Sequence, residues 1–174
     1  VALALLVSLV ITRQYLMARV DDRIDATLTQ EVDEFRALAQ TGIDPVTRAP
    51  FDDPRRLLQL HLQRSIPQTN ETLIGLVDGV PVSRVAQEPP ARLDLDPDAV
   101  AAFAAAQDTR TGQVRTERGV VTYRVVPVLV EGSTTRGALV VGVFRDLERR
   151  EVDVVTYVLL GAGAVGLLIA SALA

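Results

Sequence analysis

Tyr123 and Arg124 stand side by side in the run "VVTYRVVP". An arginine guanidinium offers a fork of donors that can grip a carboxylate through two parallel hydrogen bonds. Arg124 and Tyr123, with Arg115 and His61 next, are therefore the side chains best suited to hold a small anion. The competing reading of Arg124 is a solvent-facing or salt-bridged strand residue. His61 equally reads as a polar residue on a packed helix. Two acidic groups could attract a cation. Asp44, Asp52 and Asp53 lie close in sequence, with Arg48, Arg55 and Arg56 beside them. Asp94, Asp96 and Asp98 have the spacing of the first ligands of a calcium loop. Ala99 stands where the sharp turn needs Gly, and Ala105 where a bidentate Glu is needed. Asp96 before Pro97 reads instead as a helix cap, and no metal site is assigned.

The rest of the composition narrows the chemistry. The 174 residues include one His and no Cys. That excludes a disulfide framework, a thiolate metal site and a Cys nucleophile. No phosphate-cradling glycine loop or nucleophile elbow is present. "GAGAVG" near the end shares only its glycines with a dinucleotide loop, since no strand precedes it and no acid follows. No catalytic residue is assigned, and this stretch of chain is expected to have no enzymatic activity of its own. A net charge of −4 without a basic stripe argues against a nucleic-acid partner.

The apolar residues gather at the two ends. Val154 to Ala174, "VVTYVLLGAGAVGLLIASALA", carries no charged side chain and has the length of a membrane-crossing helix. Ala162, Gly166 and Ala170, continued by Ala174, form a small-residue stripe that would let a second membrane helix approach closely. "VALALLVSLVIT" is also uncharged but too short to cross. It starts at Val and runs on in helical pattern, so residues 1–12 read as the end of a truncated first membrane helix rather than a cleaved signal. Residues 13–153 then form one domain outside the bilayer, and residues 154–174 a second membrane helix.

Between these ends, Met17, Val20, Ile24, Leu28, Val32, Phe35 and Leu38 recur at three- and four-residue steps. The spacing predicts one long helix from about 13 to 40, with Gly42 at its C-terminal cap. A second helix is expected at about 54–65 with Pro54 in its first turn. Two short strands flank the turn pair Asp78-Gly79. A third helix starts at Pro97. "GQVRTE", "GVVTYRVVPVLV" and "GALVVGVFR" read as three more strands, the last two central because they are almost continuous in Val. The sum is an α+β domain: about five antiparallel strands with helices on one side.

Five stretches in order, "LLVSLVITRQYLMARVDDRID", "QEVDEFRALAQTGIDPVTRAPF", "LIGLVDG", "YRVVPV" and "GALVVGVFRDLERREVD", resemble the N-terminal half of bacterial membrane sensor histidine kinases. The element order is similar to their PAS-like extracytoplasmic domains of the PDC or Cache type. The resemblance implies a multi-pass protein of the cell membrane with residues 13–153 outside the cytoplasm. It implies a homodimer, an external cue, and a HAMP linker and kinase core beyond Ala174. ATP and Mg would belong to that core, which would phosphorylate itself and then a cognate response regulator. His61 lacks the sequence context of a phospho-acceptor. A chemoreceptor or cyclase with the same sensor module, and a membrane-anchored protein-interaction domain, are the alternatives.

Overall fold

The computed structural model describes residues 2–150 and the isolated positions 154, 158, 161 and 163. Helix α1, Ala2–Thr41, is unbroken across the expected boundary at residue 12 and, at 1.5 Å per residue, is about 60 Å long. Its two halves differ. Between Val7 and Arg19 no described side chain is buried. From Val20 on, Ile24, Leu28, Val32 and Phe35 are buried in the core, as the periodicity predicts. Gly42, at φ +64°, ends the helix in the left-handed region that glycine adopts without strain.

Helix α2, Pro54–Arg64, begins where Asp53 accepts a hydrogen bond from the Arg55 N–H at 2.8 Å. Strands β1, Glu71–Val77, and β2, Val80–Arg84, form a hairpin through Asp78 and Gly79. Both turn residues have positive φ, the geometry of a tight hairpin turn. The expected loop before the third helix contains a short 3-10 turn, Leu93–Leu95. Helix α3, Pro97–Ala104, starts at Asp96, whose carboxylate accepts from the Asp98 and Ala99 N–H groups. The spacing of Asp94, Asp96 and Asp98 thus serves a cap. Strands β3, Arg110–Thr116, β4, Gly119–Val128, and β5, Gly137–Phe144, complete the sheet.

The strand order is β2-β1-β5-β4-β3, all neighbours antiparallel, with β5 in the middle. The sheet is covered on both faces, which corrects the expectation of helices on one side. Leu139, Val141 and Val143 of β5 join α1 and α2 in one core layer. Val140 and Phe144 join Ala99 and Phe103 of α3 in the other. A central strand that is apolar at every position has to be covered on both sides, so its Val run already carried that information. Strand β5 also ends one residue early. Arg145 is helical, and residues 145–150 continue as helix.

No helix among the described residues is long and apolar enough to cross a membrane. The predicted second span, 154–174, with Ala162, Gly166 and Ala170, lies outside the described residues save for positions 154, 158, 161 and 163.

The difference between the halves of α1 gives a direct expectation. Phe35 is 1 % exposed between helix and sheet, so Phe35→Ala should cost about 3–5 kcal/mol in urea unfolding. Tyr15 is 57 % exposed on the same helix, and Tyr15→Ala should change stability by less than about 0.5 kcal/mol.

Candidate functional site

A dense set of directional polar contacts lies where the chain leaves β5. Arg145 and Arg149 are four residues apart on the helical segment 145–150, so they share one face. Both reach Asp21 on α1. Arg145 donates from Nε and Nη2 to the two carboxylate oxygens at 3.0 Å each. Arg149 Nη2 donates to the same two oxygens at 3.0 and 2.9 Å. The hydrogen bond from Arg145 holds the Asp21 carboxyl below its usual range, against the cost of burial, with the Arg149 charge adding to it. One carboxylate therefore joins α1 to the exit segment through two guanidinium groups.

Two further contacts fix the same segment to the sheet. Asp146 accepts from the Val120 N–H of β4 at 2.9 Å. Gly119 makes room for it: at φ +109°, a side-chain carbon there would sit 2.5 Å from an Asp146 oxygen. Glu148 accepts from the Asn70 side chain at 3.1 Å, and the Asn70 carbonyl accepts from the Phe144 N–H at 2.8 Å. Asn70 is buried at the entry to β1. Residues 145–150 are thus held by α1, by β1 and by β4 at one end of the sheet.

At the opposite end lies an open cleft of about 510 Å³. Leu76, Phe103, Pro127 and Ala138 supply apolar walls, and Asp78, Gln107 and Arg136 polar groups. That volume and that mixture suit a small ligand. The Arg136 guanidinium makes no hydrogen bond or ion pair among the described residues, while its backbone pairs with Asp78. Strand β5 runs from this cleft at Gly137 to the junction at Phe144, about 23 Å at 3.3 Å per residue.

The four residues singled out for anion binding do not meet. Arg124 points to the α1 face of the sheet. It donates to Asp25 at 2.7 Å, Thr29 at 2.8 Å and Thr111 at 3.0 Å, so its fork is occupied within the chain. Tyr123 points to the other face, where its ring meets Phe103 edge-on with centroids 4.8 Å apart. Arg115 is exposed on the edge strand β3. His61 is 5 % exposed beside Phe35, ring centroids 5.1 Å apart, and burial pushes its pKa down. Asp44 accepts from Arg56 Nε at 2.7 Å and Asp53 caps α2, so these two aspartates act in local structure. Among the described residues no group of three or more acidic or His side chains is arranged to hold a metal ion.

Sequence reasoning missed Asp21, Arg145 and Arg149. Only the four-residue spacing of the two arginines hinted at a shared partner. No protein-family model, curated protein or solved structure matches this chain.

Removing the shared carboxylate should act locally. Asp21 is 43 % exposed, so with solvent screening Asp21→Asn should lower global stability by about 1 kcal/mol or less. Amides of residues 145–150 should lose most of their hydrogen-exchange protection, while those of β5 keep theirs.

Proposed function

We propose that this chain is the sensing and transmitting region of a membrane receptor, most simply a two-component sensor histidine kinase. The observation that carries the reading is the clamp of Asp21 by Arg145 and Arg149. It sets the long α1 and the segment leaving β5 side by side at one end of the sheet. A cue acting at the far cleft can then reach both helices through β5, with no separate moving part. In this reading the five-stranded sheet is a PAS-like domain of the PDC or Cache type lying outside the cytoplasm. Residues 1–12 and 154–174 belong to the bilayer.

The exposed apolar side chains on the first half of α1, Val7, Val10 and Ile11, favour this placement. They lack cover within the described chain and suit lipid or the same helix of a second copy. A homodimer of such domains would pass on a change in helix position as a rotation, a piston stroke or a scissor movement. The output would be autophosphorylation of a kinase core beyond Ala174 and transfer to a response regulator. The external cue is a small molecule able to enter the cleft beside Arg136. The ligand set Arg124, Tyr123, Arg115 and His61 is not retained for it. Arg124 is committed to α1, and the other three face elsewhere.

A fusion of this chain to a HAMP linker and kinase core of known activity tests the proposal. Breaking the clamp with Asp21→Asn should change autophosphorylation in membranes by about 5-fold in either direction. That factor corresponds to a coupling of about 1 kcal/mol between two states. Arg115→Ala, at an exposed edge position, should leave output at the unsubstituted level. Equal output from all three proteins would refute the proposed transmission route.

A further inference from the structure

Two glutamates inside the α1–sheet contact have no role in the clamp. Glu71 opens β1 and is only 3 % exposed. Its Oε2 accepts from the Gln68 N–H at 2.9 Å, but its Oε1 is buried without a hydrogen-bond partner. Glu31, half-buried on α1, likewise has a buried Oε2 without a partner. A buried carboxylate oxygen left unpaired is costly when charged, and far less so when a proton is present.

We propose that Glu31 and Glu71 form a proton-operated latch between α1 and β1, closed when protonated and strained open when both carboxylates are charged. The surrounding groups support this. On α1, Glu34 adds a second negative charge felt by both glutamates. On the segment after β5, Glu148 adds a third felt by Glu71. Arg23 of α1 is the cation nearby, lining with Glu71 and Glu148 a cavity of about 10 Å³, the size of one water. Its guanidinium is directed to the Gln68 side-chain Oε1 at 3.4 Å. On α2, His61 faces Glu34 and is pushed toward its neutral form by burial. Two further carboxylates, Glu34 and Glu148, thus act on the pair, with Arg23 beside them. The two unpartnered buried oxygens are the observation that points to a proton as the ligand.

Titration follows the same sign. Burial first, then the Glu71 and Glu34 charges, push Glu31 up to about 7. Burial pushes Glu71 up as well, opposed by the Gln68 N–H and reinforced by Glu34 and Glu148. A carboxyl with a raised folded-state pKa gives its full stabilisation below its unfolded value, 4.5 for Glu31, and loses it as pH rises through about 7. His61 has the opposite sign, since its lowered pKa contributes stability above 6.5 that is lost as pH falls. The interval from about pH 8 down to about pH 6.5 therefore isolates the glutamates.

The test uses the full chain in detergent micelles. Its thermal midpoint should rise by roughly 2–4 °C from about pH 8 to about pH 6.5. Glu31→Gln, which keeps the shape and cannot ionise, should abolish that rise. Spin labels attached through Gln30→Cys and Thr69→Cys, in a chain without native Cys, report the α1–β1 distance. The distance distribution should broaden at the higher pH in the otherwise unsubstituted chain and stay unchanged with Glu31→Gln. A midpoint that is flat or falls over this interval, or a distance indifferent to pH, overturns the latch. Should Glu31→Gln fail to fold, carbon-13 titration of the glutamate carboxyls in the unsubstituted chain decides instead. A carboxyl titrating above about pH 6 supports the latch, and none doing so overturns it. None of these measurements reads kinase output, so the latch stands or falls independently of the signalling role.

Discussion

The apolar stripe of α1 against the sheet governs the rest of this structure. Val20, Ile24, Leu28, Val32 and Phe35 are each under a tenth exposed, at successive steps of four, four, four and three residues. Each such side chain contributes about 1.5–3 kcal/mol when taken from water, an upper estimate because the unfolded chain already buries part of it. The same helix presents Asp21 to Arg145 and Arg149, and Asp25 and Thr29 to Arg124. A slip of one turn, about 5.4 Å, would remove all of these polar partners at once. The apolar stripe supplies the energy, and the polar contacts fix the register.

The sheet explains why the chain leaves beside α1. Strand β5 lies in the centre and is buried along nearly its whole length. Its last residue, Phe144, is fully buried against the α3 face, and the next, Arg145, turns to the α1 face to meet Asp21. The change from strand to helix at that point is enforced by Asp146 on the Val120 N–H, a contact that only a residue as small as Gly119 permits. One buried strand and its two neighbours thus run without a break from the cleft to the junction. The electrostatics are concentrated at the junction end. There Asp21 is well compensated, while Glu31 and Glu71 are not.

Much of this fold is legible in the sequence because its signals are local. The α1 periodicity, the Asp78-Gly79 turn and the Asp53-Pro54 and Asp96-Pro97 helix starts each depend on neighbouring residues only. The placement of α3 was not legible in the same way. Its buried content is Ala99 and Phe103, too little to announce a face, and the clue lay in the doubly covered β5. The site was less legible still. A salt bridge is one reading of Arg124, but nothing in "VTYRVV" names the partner, Asp25, which lies 99 residues away. Nothing in the sequence singles out Glu71, and only tertiary packing reveals that its Oε1 is buried without a hydrogen-bond partner. Tyr123 and Arg124 illustrate the general difficulty. Adjacency along a strand guarantees opposite faces, so two neighbours there cannot share a ligand.

In the proposed transmission route, α1 and the segment after β5 move as one unit because Asp21 joins them. The most direct measurement is the distance between spin labels introduced through Asp22→Cys and Arg150→Cys in the full chain. The account requires one narrow distance distribution, broadened when Asp21→Asn is added. A distribution that is already broad with Asp21 in place, or one that Asp21→Asn leaves narrow, would contradict it.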